Sequence, residues 1–414
     1  MNTLEVIGKN AKLAAKELNN IETQTINSAL ELMAVSLEDN IENILIENKK
    51  DVDIAIKNDM AKVMLDRLIL NEDRIKDLAA NLRSVKELKS PLDEVSYSYK
   101  SLKGFNITTI SVPLGVIAMI YEARPNVTSE AMSLALKAGN VSILRGSSST
   151  LNTNMILVDL IRKAGKKAGL PDNFVQLVES SNHEDVTKLI QMNEYIDVVI
   201  PRGGVGLIKN VVMNATVPII ETGAGNNFAY VDPSLDIDKA IEVLVNAKVQ
   251  RPTVCNSLEK ILIHKDVDKI FYTKLNKRLK EEKVLIKADN KIIDKFEDSI
   301  PLRDDDLNIE YLDYIIGIKQ VNDIDEAITI INTYSTKHSN LILATNYYTI
   351  EKFKKEIDSA CVYVNTSTRF SDGVEFGLGS EIGISTQKLH ARGPMGLKAL
   401  TSIKNIIDGE YQIK

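Results

Sequence analysis

Apolar positions recur at the helical period through the first ninety residues: Leu13, Ala14 and Leu18, then Ala29, Leu30, Met33, Leu37, Ile41, Ile44 and Leu45. A third helix is expected over 59–88, followed by Pro91. Two short alternating runs, 95–99 and 105–110, flank Lys103-Gly104, which is a hairpin signal. A hairpin isolated among helices and buried strands needs a partner surface. It reads as an oligomerisation arm or as an edge pair on the main sheet. From Leu114 the pattern changes to short apolar runs, expected strands at 115–120, 141–144, 174–178, 196–200 and 218–220. Between and after them lie amphipathic stretches at 129–138, 152–168, 184–192, 206–214 and 236–250. Such alternation means a parallel sheet covered on both faces.

A second alternation follows, with strands expected at 258–264, 315–318, 340–345 and 360–365. Helices are expected between them at 267–283, 324–333 and 350–356. The charged stretch 292–310 reads as a solvated loop, and the Gly-rich segment 370–396 as a cover over a site. At 414 residues, 44% of them apolar, the chain is too long for one ordinary domain, so two are expected.

Net charge is -6 with no long basic stripe, which argues against nucleic acid as a partner. No apolar run is long enough to span a bilayer, and Met1-Asn2-Thr3-Leu4-Glu5 does not begin a signal peptide. The two cysteines, Cys255 and Cys361, lie far apart, as in a reducing compartment without disulfides. A soluble cytoplasmic protein is the expectation. The histidines, His183, His264, His338 and His390, have no ligand-pair spacing, so no protein-held metal is expected.

Cys255 sits in Arg251-Pro252-Thr253-Val254-Cys255-Asn256-Ser257, between an expected helix and an expected strand. Pro252 stops the helix, so the thiol falls on a connection, where chemistry tends to be placed. A thiol attacks only as thiolate, and its free pKa is about 8.5. Arg251 or turn N–H groups can lower that value; the plainer reading is a small buried hydrophobe. Neither GxGxxG nor a P-loop occurs. Three other Gly/Ser-rich segments follow expected strands: Leu144-Arg145-Gly146-Ser147-Ser148-Ser149-Thr150, Pro201-Arg202-Gly203-Gly204-Val205-Gly206 and Glu221-Thr222-Gly223-Ala224-Gly225-Asn226-Asn227. Loops at carboxyl ends of parallel strands are where open α/β sheets bind ligands, although a βα turn also uses Gly for geometry alone.

Taken in order, Tyr121-Glu122-Ala123-Arg124-Pro125-Asn126-Val127-Thr128, Ala138-Gly139-Asn140, Arg145-Gly146-Ser147-Ser148 and the Cys255 segment resemble the aldehyde dehydrogenase superfamily. Nearly the whole chain from Ala11 is covered. The wording of Arg124-Pro125-Asn126, Arg251-Pro252-Thr253-Val254-Cys255 and Gly393-Pro394-Met395-Gly396 is closer to the branch that reduces γ-glutamyl phosphate.

The resemblance implies an aldehyde-dehydrogenase-like α/β fold, with two Rossmann-like domains and a small β-hairpin oligomerisation arm. It implies a cofactor domain over 1–90 and 112–248, a catalytic domain over 249–395, and an arm from 91–111 and 396–414. Cys255 matches the family's nucleophile, and Asn126 its oxyanion amide, with a helix N-cap as the other reading of Asn126. Arg145 and Ser147 match the adenosine-ribose loop, and Gly203, Gly204 and Gly206 the pyrophosphate turn. Glu310 or Asp313 matches the acid on the nicotinamide ribose. Ser148 stands where NAD-preferring members often carry a carboxylate, so NADPH is expected. Ile330 and Asn340 stand where this branch usually shows His and an acid.

The activity implied is reduction of L-glutamyl 5-phosphate to glutamate 5-semialdehyde and phosphate, the second step of proline biosynthesis. Arg124, Arg369, His390 and Arg392 are the cations available for this anionic substrate, and Arg392 is favoured for its place beside Gly393-Pro394. Further partners implied are a second copy of the chain and a glutamate 5-kinase supplying the unstable acyl phosphate. Rival readings are a non-phosphorylating aldehyde dehydrogenase, a thiol hydrolase without nicotinamide, and a non-catalytic scaffold. No His is placed by a motif to serve the hydrolase.

Overall fold

Helices Thr3–Leu18, Thr23–Glu38 and Ile41–Lys57 follow the expected period. This computed structural model describes residues 3–180 and 182–414. The helix expected over 59–88 is instead two, Lys62–Leu68 and Glu72–Glu87. Buried Asn48 fills the break: its Nδ2 donates to the Leu68 carbonyl at 3.0 Å and its Oδ1 accepts the Leu70 N–H at 2.8 Å. Asn71 then caps the next helix by accepting the Arg74 N–H.

The expected hairpin forms as β1 (Val95–Lys100) and β2 (Asn106–Pro113), antiparallel. It belongs to a separate three-stranded sheet, in which the strand Thr401–Asp408 pairs antiparallel with β2. Asn140 anchors this strand's lead-in, donating its Nδ2 to the Leu400 carbonyl at 2.9 Å.

Next come β3 (Val116–Tyr121), β4 (Val141–Arg145), β5 (Val175–Leu177) and β6 (Val198–Arg202). They form a parallel sheet ordered β5-β4-β3-β6. Every residue of β3 and β4 is buried, as strands covered on both faces must be. The run at 218–220 contributes only an isolated bridge from Ile219 to Val199.

A second parallel sheet contains β7 (Asn227–Val231), β8 (Leu258–His264), β9 (Leu285–Ala288), β10 (Ile300–Pro301), β11 (Ile315–Val321), β12 (Ser339–Leu343) and β13 (Cys361–Val364). Their order is β10-β9-β11-β8-β7-β12-β13. The sequence pattern missed β7 and β9. The charged stretch 292–310 is loop with short 3-10 turns and β10 at the sheet edge. Two apolar clusters pack against this sheet, one around Leu244, Phe271 and Leu275, the other around Phe228, Ile331 and Phe353.

The chain divides into two units. The first is Met1–Thr222 with Gly377–Gly383 and Met395–Lys414; the second is Gly223–Phe376 with Ile384–Pro394. The first crossing between these units falls at Thr222/Gly223, and the 248/249 division implied by the resemblance lies inside the second unit. The cause is β7, which pairs with β8 and β12 and draws helix Ile237–Val249 into the second unit. Among the described residues no helix is long and apolar enough to cross a membrane.

Candidate active site

Cys255 lies on the connection between helix Ile237–Val249 and β8 and is partly exposed. The surrounding peptide is held by side-chain amides. Asn227, at the start of β7, donates its Nδ2 to the carbonyls of Cys255 and Ser257, both at 2.7 Å, and accepts the Ser339 N–H at 3.0 Å. Asn256 is buried, donates to the Ser371 carbonyl at 3.1 Å, and accepts Thr368 Oγ1 at its own carbonyl at 2.6 Å. A Cβ at Gly225 would fall on the Cys255 carbonyl, so only glycine permits this approach. The Gly225 N–H donates to Glu310 Oε1 at 2.6 Å. Glu310 is thus in the same unit as Cys255 and linked to it through Gly225, with its carboxyl pushed up chiefly by burial. Asp313, the other acid considered, accepts the Tyr314 N–H at 2.7 Å.

Buried charges brace both ends of this connection. Lys248, near the end of the helix, pairs with Glu259, near the start of β8, at 3.0 Å with neither side chain exposed. Lys260 donates to the Ile309 carbonyl at 2.6 Å and to Asn226 Oδ1 at 3.0 Å. Burial pushes Lys260 down to about 7. Removing one partner of such a buried pair would leave an uncompensated buried charge.

In the first unit, Asn126 opens helix Asn126–Lys137 but does not cap it; Pro125 is the N-cap residue, and no side chain caps there. Asn126 Nδ2 donates to Glu130 Oε1 at 2.9 Å. Just before it, the Arg124 N–H donates to the Glu122 carbonyl at 2.7 Å in a tight turn. The Gly204 N–H, at the start of helix Val205–Asn214, donates to Glu122 Oε2 at 3.0 Å. A Cβ at Gly203 would meet the Glu122 side chain at 2.8 Å, whereas Gly206 faces open space. Arg145 ends β4 and is buried, which lowers its pKa. Ser147 Oγ accepts the Ser149 N–H at 3.3 Å, and Ser148 is exposed. The structure therefore joins the 121–126 segment to the 203–206 loop and sets both at strand ends of one parallel sheet.

The favoured substrate cation is engaged elsewhere. Arg392 pairs with Asp358 at 2.7 Å, which also pairs with Lys337 at 3.0 Å and Lys388 at 3.1 Å. Arg392 leads these in holding the Asp358 carboxyl far below the ordinary range. His390 is exposed with a left-handed backbone, φ 70°. Arg369 is the cation beside the thiol loop. Its carbonyl accepts Asn256 Nδ2 at 3.3 Å and its Nε donates to Gln250 Oε1 at 2.8 Å. Asn256 and Asn227 stood inside the segments named from sequence but were given no role, and Gln250 was not singled out; what they do depends on distant partners.

A family model described as the aldehyde dehydrogenase family matches residues 4–292, and the chain belongs to that family. It is 48% identical over 406 residues to the γ-glutamyl phosphate reductase of Dictyoglomus thermophilum, covering 98% of each chain. It is 49% identical over 413 residues to that of Clostridium perfringens, covering 100% of both. Among solved structures, the γ-glutamyl phosphate reductase of Thermotoga maritima superposes with TM-score 0.97 at 44% identity, again over the full length of both. Within its family the chain belongs with the γ-glutamyl phosphate reductases.

The family implies a nicotinamide cofactor. Residues of the first unit fit one: Gly206, with open space beside it, lies in the first helical turn after β6, and the loop after β4 offers exposed Ser148 and no carboxylate.

Proposed function

We propose that the protein reduces L-glutamyl 5-phosphate to L-glutamate 5-semialdehyde and phosphate, with NADPH as reductant and Cys255 as nucleophile, in the second step of proline biosynthesis. One observation supports this beyond the full-length similarity to named reductases. Asn227, Asn256 and Gly225 pin the backbone around a partly exposed thiol. Pinning of this kind orients a nucleophile before substrate arrives.

In this reading the Cys255 thiolate attacks the γ-carbonyl carbon, the C–O bond to phosphate breaks, and an acyl thioester remains. Phosphate leaves without a strong general acid. NADPH, when bound, supplies the hydride. Collapse of the resulting tetrahedral centre breaks the C–S bond, frees the aldehyde and regenerates the thiolate. Asn126 is assigned the amide that steadies the oxyanion, a donor whose loss typically costs about 3 kcal/mol. Arg145, Ser147 and the Gly203, Gly204 and Gly206 turn are assigned to the cofactor, with Glu310 on its ribose. The preference for NADPH rests on Ser148, because a carboxylate there would repel a 2′-phosphate. Among the substrate cations, Arg369 is preferred to Arg392, whose charge is already matched by Asp358.

The exposed face of the three-stranded sheet is assigned to a second copy of the chain. It presents Tyr97, Tyr99, Ile403 and Ile407, each more than half exposed.

The test runs the reaction backwards. Purified protein, glutamate semialdehyde, phosphate and NADP should raise nicotinamide absorbance, more weakly with NAD. Cys255→Ser should abolish the signal. Signal that persists without phosphate would instead support the non-phosphorylating dehydrogenase.

A further inference from the structure

Cys255 follows the carboxyl end of helix Ile237–Val249. The dipole at that end disfavours an anion, so the helix gives a thiolate no help. Stabilisation has to come from turn N–H groups or from a nearby cation.

We propose that Arg369 sets the charge state of Cys255, holding it as thiolate before substrate binds. This rests on Cys255 being the nucleophile. Gln250 and Asn256 bracket the Cys255 connection, and both hold Arg369. Gln250 Oε1 accepts the guanidinium Nε at 2.8 Å, and Asn256 Nδ2 donates to the Arg369 carbonyl at 3.3 Å. Thr368 Oγ1 and the Ser371 carbonyl bond Asn256 as well, at 2.6 and 3.1 Å. The two loops are therefore one hydrogen-bonded piece, with Arg369 tethered to residues on either side of Cys255.

The chemistry of the anchor matters. Gln250 is neutral, so it positions the guanidinium without cancelling its charge. Contrast Arg392, which is matched by a carboxylate. The groups that bear on Arg369 are Arg251, Cys255, Asp372 and Tyr363. Burial lowers the Arg369 pKa, Arg251 lowers it further, and Cys255 raises it. Asp372 also raises it; its Oδ1 accepts the N–H groups of Val374 and Glu375, and among the described residues no ion pair joins it to Arg369 as Asp358 is joined to Arg392. Tyr363 is kept neutral by burial.

The test is the pH dependence of iodoacetamide alkylation at Cys255, read by peptide mass spectrometry so that buried Cys361 is counted separately. In the unsubstituted protein the midpoint should fall below the free-thiol value of about 8.5. Arg369→Gln should raise it by about one unit, slowing alkylation near pH 7 roughly tenfold. Arg369→Lys should restore part of the shift, and Gln250→Ala should raise the midpoint by less than Arg369→Gln. An unshifted profile in Arg369→Gln with an unchanged melting temperature overturns the proposal, as does an unsubstituted midpoint at 8.5 or above. If Arg369→Gln does not fold, an unshifted profile in Gln250→Ala overturns it instead. Alkylation needs no turnover, so a low midpoint in an inactive reductase would sink the functional reading and leave this one standing.

Discussion

At the scale of residues, buried polar side chains carry much of the design. His338 is fully buried with its Nδ1 2.9 Å from Ser339 Oγ, and burial pushes its pKa down to about 4. An unfolded histidine titrates near 6.5. Between those values the unfolded chain holds a proton that the folded chain refuses, so stability falls as pH falls through that window. From pH 7.5 to 5 the loss from this one residue should be about 2 kcal/mol. Urea midpoints at the two pH values should show that loss shrinking in His338→Gln; an equal loss in both proteins would discharge His338 from any part in acid sensitivity. Cys255 was legible in sequence because Pro252 ends a helix just before it and the surrounding wording matches a family. Arg369 was legible only as one cation among four. Its significance needed Gln250, 119 positions away, which no local pattern links to it. Arg392 was favoured from its neighbours in sequence, which say nothing of Asp358.

At the scale of elements, apolar runs located most of the strands, since a strand covered on both faces has to be apolar throughout. β7 escaped because it begins with Asn227, a buried amide that reads as loop. β9 escaped because it is short and carries exposed Leu285 and half-buried Lys287. The single long helix expected over 59–88 failed at Asn71-Glu72-Asp73, where a capping residue and an acidic first turn were present but passed over. The strand Thr401–Asp408 was assigned to the arm by resemblance, and its antiparallel pairing with β2 appears only in three dimensions. Ile403 and Ile407 on this strand are each 63% exposed. Replacing both with Lys should reduce the molecular mass seen by light scattering to that of a smaller species, with the circular dichroism spectrum retained. An unchanged mass would remove this sheet as the contact between copies.

At the scale of the whole molecule, the chain passes between its units at 222/223, 376/377, 383/384 and 394/395. The apolar clusters against the seven-stranded sheet are drawn wholly from the second unit. A fragment spanning 223–394 should therefore fold on its own, with a cooperative thermal transition in circular dichroism and no reductase activity. A featureless melt would show that its core needs the rest of the chain. Two α/β units were foreseeable from the alternation alone; their boundary was not, because strand pairing rather than linker composition decides it.

The bond from Gly204 to Glu122 has a further consequence. The Glu122 side chain already occupies the Gly204 N–H at this helix start, two and four positions before Arg124 and Asn126. On the proposed assignment, the nucleotide and Glu122 would compete for one N–H, so Glu122→Gln, which removes the charge and keeps the acceptor, should tighten NADP binding as read by fluorescence titration.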